Sequence, residues 1–382
     1  MNSSPPPTPP SRAPKDEELR FKSITSPCEW AESYHPGGYH PVHLGDVFNN
    51  GRYKVMRKLG EGAYSTVWLA RDVKDNRYVA LKILVSRLSK STIELQILQH
   101  IAQAAPLEGD KYITKLLDGF EHQGPNGNHK CLVFDPMGPN VNVLKEELSR
   151  HSPSWRWMKV RYPPHIAKSI LKQTLQALAF LHKNGIAHGD FQPGNMLFTL
   201  KDIESEGEDI LRQQENMKSQ STSPPIERID GKKDSWAPRY LCIAQPLTAY
   251  TYYTEGFVIK LSDMGGAYFL TDPPKNPVTP TGLRSPELVL TGAVHKSLDI
   301  WSFGCLLYEL ITGQPLFMVW SEEKLEKIDD LMLSFITILG PLPDELYSHW
   351  TSSALYFTPE HKLFNCAVGG AKEGEEPFMF EH

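Results

Sequence analysis

The chain has 382 residues, 40% of them hydrophobic and 22% charged, with a formal net charge of -5. That length accommodates a two-lobed enzyme or two modest domains, and the charge balance argues against a general attraction to nucleic acid or membrane. Cys28, Cys131, Cys242, Cys305 and Cys366 lack C-x-x-C or metal-ligand spacing. They read as reduced intracellular thiols, in a protein of the cytoplasm, the nucleus or both.

Residues 1–30 are rich in Ser and Pro, lack an apolar secretion core, and are predicted to be a disordered tail. From Tyr53 the text changes to short apolar runs, Tyr53–Met56, Thr66–Ala70 and Val79–Leu84, with Gly or Asp/Asn turns between them. These predict antiparallel strands, and another β-like run ends near Phe134. Between them, Ile93, Ile97, Leu98 and Ile101 share one face of a helix. Pro163-Pro164 opens a second helix that turns Ile166, Ile170, Leu171, Leu175, Leu178 and Leu181 inward. A polar stretch at about 201–255 reads largely as a flexible insertion, with a possible strand at Tyr240–Ile243. The apolar run Ile300–Trp320 carries Glu309 and a Gly313-Gln314-Pro315 break, so it predicts a buried helix and a turn rather than a membrane span.

Four motifs carry chemistry. Gly60-Glu61-Gly62-Ala63-Tyr64-Ser65-Thr66-Val67 is a Gly-rich turn of the kind that lets backbone N–H groups approach phosphate oxygens. A plain hairpin turn explains it equally well in isolation. In Ala80-Leu81-Lys82-Ile83 a lysine interrupts an apolar strand, and Glu94 is the single acidic residue of the following helix. A buried ammonium needs such a partner, although a lysine reaching out to solvent is the bland alternative. His188-Gly189-Asp190-Phe191-Gln192-Pro193-Gly194-Asn195 places an acid and an amide five residues apart. Asp190 is suited to accept a hydroxyl proton and Asn195 to hold a metal ion, while His188 is expected to pack structurally. Asp263, in Leu261-Ser262-Asp263-Met264-Gly265, is a second candidate metal ligand, with a turn aspartate as the bland reading.

In this order the motifs resemble those of eukaryotic protein kinases over roughly residues 52–340, joined by Ser285-Pro286-Glu287 and Asp299–Gly304. The resemblance implies an α+β, bilobal kinase fold: a β-rich N-lobe at 31–136 and a mainly helical C-lobe at 137–382, which looks truncated. It implies Lys82, Asp190 and Asn195 as catalytic residues, and Asn195 and Asp263 as ligands of Mg2+. ATP would be held by Gly60, Glu61, Gly62, Ala63, Tyr64, Ser65, Val67, Ala80, Lys82 and Glu94. Phe134 would be the gatekeeper, with Asp135 and Met137 offering hinge backbone groups to adenine.

Within that family the chain is closest in pattern to the SR-protein kinases. Gly37–Val42, Gly45-Asp46, Gly51-Arg52-Tyr53, Tyr64–Leu69 and the position of the insertion carry this likeness. It implies a non-specific serine/threonine protein kinase acting on Arg-Ser-rich splicing factors, as a monomer, with no direct contact to nucleic acid or membrane. Glu322, Glu323, Glu326, Asp329, Asp330, Asp344 and Glu345 would supply an acidic face for such substrates. The pattern also departs from the family. Gln192 stands for a lysine beside the γ-phosphate, Gly189 for an arginine, and no arginine follows Arg284 to pair with Glu287. A pseudokinase scaffold and a small-molecule phosphotransferase remain open as alternatives.

Overall fold

The computed structural model describes residues 6–12, 14–91, 93–104, 109–142, 161–215, 221–251, 256–321 and 323–358. The chain divides into two compact units. The first comprises residues 1–153, 172–184 and 193–265, and the second residues 154–171, 185–192 and 266–382. The expected boundary at 136/137 is not where the contacts divide, because residues 172–184 and 193–265, which include the insertion, group with the N-terminal sheet.

The first unit is built on a six-stranded sheet: β1 (Val47–Phe48), β2 (Tyr53–Gly62), β3 (Ser65–Asp72), β4 (Arg77–Leu84), β5 (Leu116–Gly124) and β6 (Gly127–Phe134). The strand order is β1-β2-β3-β4-β6-β5, and every neighbouring pair is antiparallel. Alternating large apolar residues explain its packing: Tyr53, Val55, Trp68, Ala70, Val79, Leu81, Ile83, Cys131 and Val133 form one buried cluster. Helix α1 (Ile93–Gln103) buries Ile97, Leu98 and Ile101 together with Glu94. A two-stranded ladder follows, with Met196–Phe198 (β8) antiparallel to Ile259–Leu261 (β9). The amide of Gln173 fixes β9 by accepting from Ile259 N (2.8 Å) and donating to Phe257 O (3.1 Å).

Three expectations for this unit are corrected. The N-terminal tail is not disordered up to residue 30. Phe21 is buried, Arg20 N–H groups are bonded to the Glu32 carboxylate, and residues 20–22 run antiparallel to 227–229 of the insertion. Residues 1–5 lie outside the described residues. The described part of the insertion, 201–215 and 221–251, is likewise packed rather than loose. Leu211, Leu241, Cys242 and Leu247 are buried, and Arg228 is clamped between Asp230 and Asp234. Tyr240–Ile243 is not a regular strand, since its pairing reduces to one bridge between Thr222 and Cys242. Polar composition misled here because these polar groups bond to one another and to the sheet instead of to water.

The second unit includes the start of helix α2 (Pro164–Lys183), a short ladder of β7 (Ile186–Ala187) with β10 (Tyr268–Phe269), and helices Pro286–Thr291, Ser297–Thr312, Lys324–Leu339 and Asp344–Tyr347. With α3 (Glu208–Leu211) in the first unit, these four are α4, α5, α6 and α7. Phe317, Phe335, Leu331, Met332, Trp350 and Phe357 form its core, with Trp301 stacked on Phe317 at 5.6 Å. As predicted, α2 buries Ile166, Ile170, Leu171, Leu178 and Leu181, but Leu175 is 42% exposed. Helix α5 ends at Gly313 (φ 77°), where the break was expected. It is only half buried: Leu298, Ser302, Cys305 and Leu306 face the core, whereas Ile300, Leu307 and Ile311 are exposed. No described helix is long and apolar enough to cross a membrane.

Candidate active site

A cavity of about 440 Å3 in the first unit gathers most of the predicted nucleotide residues. Gly60, Glu61, Gly62, Ser65 and Val67 line it from β2 and β3, Ala80 and Lys82 from β4, and Glu94 from α1. Phe134, Asp135 and Met137 close the side that follows β6, and Asn195 and Asp263 complete the lining. Two predicted residues do not line it. Tyr64 is 51% exposed at the tip of the turn with the Arg87 guanidinium over its ring, and Ala63 faces a separate hollow.

Lys82 is the electrostatic centre of the cavity. Its Nζ lies 2.6 Å from Glu94 Oε1 and 2.9 Å from Asp263 Oδ1. Burial pulls its pKa down, but the Asp263 and Glu94 carboxylates outweigh that and hold it above the ordinary lysine value. The ammonium therefore stays charged at every physiological pH. Asp263 follows β9 in a left-handed backbone conformation (φ 59°), which costs energy in a residue with a Cβ. Its Oδ1 accepts from Gly265 N at 3.1 Å, and this turn leaves the carboxylate 45% exposed toward the cavity. Asn195 ends a 3-10 turn whose carbonyl accepts from Ser262 N (2.8 Å) and Ser262 Oγ (3.0 Å), so the two candidate metal-binding segments are tied together.

Does the cavity suit a nucleotide? At Gly60 and Gly62 an added Cβ would meet no protein atom within 4 Å, and neither residue has a positive φ. The fold itself does not require glycine there. Open backbone beside a charged lysine and two metal-ligand types is the arrangement expected of a phosphate cradle.

In the second unit Asp190 sits on a loop held from below by α5. Asp299, 1% exposed, accepts from His188 N (2.8 Å) and Gly189 N (2.9 Å). His188 is fully buried against Phe191, in the structural role expected of it. Gln192 Nε2 donates to Asp190 Oδ1 at 2.7 Å. Gly189 has φ 72°, and a Cβ there would stand 2.4 Å from Gly266 O, so this loop has no room for the arginine of the family pattern. Glu287 forms no ion pair among the described residues and is only partly buried in the first turn of α4.

The residues expected to form an acidic face differ in exposure. Glu323, Glu326, Asp344 and Glu345 are exposed, and Glu322 lies outside the described residues. Asp329 is buried and accepts from Trp350 Nε1 (2.7 Å), Ser352 Oγ and Tyr356 Oη, while Asp330 caps Trp320 N and Ser321 N. Those two carboxylates are structural. Sequence reasoning also missed Leu98, Thr114, Leu197, Ala244 and Pro246 in the cavity lining. Leu197 was within reach, in the apolar triplet Met196-Leu197-Phe198 that follows Asn195; Ala244 and Pro246 carried no signal, lying in a polar insertion.

Comparison with known proteins agrees with this geometry. The protein kinase domain model matches residues 53–206 and 251–360. A serine/threonine-protein kinase SRPK of Physarum polycephalum is 31% identical over 92% of this chain and 82% of its own. Protein kinase dsk1 of Schizosaccharomyces pombe is 30% identical over 87% of this chain and 74% of its own. A serine/threonine protein kinase of Aspergillus fumigatus is 31% identical over 80% and 69% respectively. Among solved structures, a kinase domain matches with a TM-score of 0.57 and 25% identity, covering 85% of this chain and 82% of that one. With its motifs in order, its β-rich sheet unit and its Lys82–Glu94–Asp263 cluster, the chain belongs to the protein kinase family, as a serine/threonine kinase of the SRPK type that uses ATP with a divalent metal.

Proposed function

We propose that the chain transfers the γ-phosphoryl group of Mg-ATP to serines of Arg-Ser-rich proteins of the splicing-factor kind, in the cytoplasm or nucleus. The observation that carries the catalytic part is Lys82, held charged between Glu94 and Asp263 on the wall of the cavity. Bound Mg-ATP supplies the phosphoryl group and the metal charge that offsets its oxygens. Lys82 positions the phosphates, and Glu94 fixes the lysine. Asn195 and Asp263 are the oxygen ligands for Mg2+, and Gly60 and Gly62 present backbone N–H groups. Asp135 and Met137 offer the backbone donors and acceptors that fit an adenine edge. Asp190 accepts the proton of the attacking serine hydroxyl, with its carboxylate oriented by the Gln192 amide. The substrate class rests on the SRPK-type relatives and on the exposed carboxylates Glu323, Glu326, Asp344 and Glu345, which complement arginine-rich peptides.

The test is phosphate transfer from radiolabelled ATP to an Arg-Ser repeat peptide and to a lysine- and arginine-free serine peptide. Transfer to the first alone is expected, and Asp190→Ala should lower kcat by about 10²- to 10⁴-fold with nucleotide binding retained. A wild-type chain that binds ATP yet transfers nothing to any peptide would instead be a pseudokinase.

A further inference from the structure

We infer that the insertion is a working part of the nucleotide site: Ala244–Pro246 forms one of its walls, and Lys58 is the positioning residue that locks this wall to the Gly-rich turn. The inference rests on the nucleotide reading of the cavity given above.

Strand β1 pairs with Tyr53 and Lys54, and Gly45 and Asp46 bond Val55, so β2 has an open edge from Met56 onward. The insertion takes that edge. Gln213 N donates to Met56 O (3.0 Å), Lys58 N donates to Gln213 Oε1 (2.9 Å), and Gln245 N donates to Lys58 O (2.9 Å). The Gln213 amide, 2% exposed, then ties Ser221 O (2.7 Å) and Ile243 O (2.9 Å) together. The backbone just before Gly60 is thus bonded to the insertion on one side and to β3 on the other. The two neighbours of Gln245, Ala244 and Pro246, line the same cavity as Leu59 and Gly60.

Beneath this edge lies a fully buried ammonium. Lys58 Nζ contacts the Glu29 carboxylate, Glu61 Oε2 (3.1 Å) and Cys242 O (3.0 Å), and the Tyr34 hydroxyl donates to the second Glu29 oxygen. An ammonium left unpaired in such a place is strongly disfavoured, so each partner matters to its burial. The partners come from three separate parts of the chain: the segment before the sheet, the Gly-rich turn and the insertion. Tyr39 Oη adds a bond to Gly62 O (2.6 Å) from that same preceding segment. A Gly-rich turn is a mobile element when left to itself. Here its second and third residues are bonded to a rigid block, so the cavity is shaped before any ligand arrives.

The experiment compares the full chain with Lys58→Met, Ala244→Phe and, as a control, Lys22→Met, which removes only an exposed ion pair to Glu227 of the same insertion. A fluorescent ATP analogue reads the nucleotide Kd, and steady-state kinetics read KM for ATP and for peptide separately. Lys58→Met and Ala244→Phe should each raise the nucleotide Kd and the KM for ATP by about tenfold, at unchanged KM for peptide. The control should match wild type. Ala244→Phe adds bulk on the cavity side alone, so it carries the test even if Lys58→Met fails to fold. A Kd for Ala244→Phe within twofold of wild type, in a chain whose Lys82→Met variant loses the analogue, overturns the inference and leaves the nucleotide site standing. Lys82→Met binding the analogue like wild type fails the nucleotide reading itself and, with it, the inference.

Discussion

Gln192 stands within 2.7 Å of the proposed base and offers it a neutral N–H, where the family pattern offers an ammonium. The amide orients Asp190 but brings no charge to the transferring group. Gln192→Lys should keep the orienting bond and add a cation, raising kcat by about tenfold in the Arg-Ser peptide assay. An unchanged kcat rejects the missing cation as the limit on rate. The neighbouring departure has a different origin. Gly189 is fixed by its backbone: φ 72° and a 2.4 Å approach to Gly266 O admit no side chain. Thr279 Oγ1 also donates to Gly189 O (2.6 Å), which fastens the loop without an arginine or a phosphate group.

At the scale of elements, two buried aspartates set the second unit. Asp299 on α5 accepts two backbone N–H groups of the loop that carries Asp190, so the helix acts as a fixed template for it. Asp329 on α6 binds the segment after α7 through Trp350, Ser352 and Tyr356. Asp329→Ala leaves the buried Trp350 N–H without its acceptor, a loss of about 1–3 kcal/mol per orphaned group. Its melting temperature should therefore fall clearly, whereas Glu326→Ala on the exposed face of α6 should melt like wild type. Equal melting of the two would show that Asp329 is only a surface charge.

For the molecule as a whole, a cluster of two buried imidazoles and one half-buried one sets a pH limit. His40 lies 4.7 Å from His122 and 5.0 Å from His129, on three different stretches of the first unit. Burial, and then the neighbouring imidazoles, pull His40 down to about 3, with Asp46 opposing. Burial also lowers His122 and His129. The unfolded chain takes up these protons near the ordinary value of about 6.5, and the folded chain does not. Stability is therefore complete above that value and falls as the pH drops from there toward 3. Denaturant midpoints should decrease from pH 7.5 to pH 5, and His40→Phe should flatten that slope. A slope unchanged by His40→Phe would assign the acid sensitivity to other groups.

By itself the amino-acid sequence determined the elements and the chemical kit. Val79–Leu84 reads as an apolar strand, a buried Lys82 within it calls for a carboxylate, and α1 offers Glu94 alone. Such inferences succeed because periodicity and the cost of an unpaired charge are local quantities. Tertiary structure decided what local rules cannot see. Asp263 reaches Lys82 from 181 residues away. Polar stretches such as 20–32 and 221–247 looked solvated, yet they pack, because their partners lie elsewhere in the chain. Nothing in the sequence around Lys58 marks its partners, and only the fold brings Glu29 and Cys242 to it. Ala244 and Pro246, bland in sequence, become cavity residues only because the insertion takes the open edge of β2. Hydrogen-bonding demand is written at each position, but which distant group satisfies it is settled only when the chain folds.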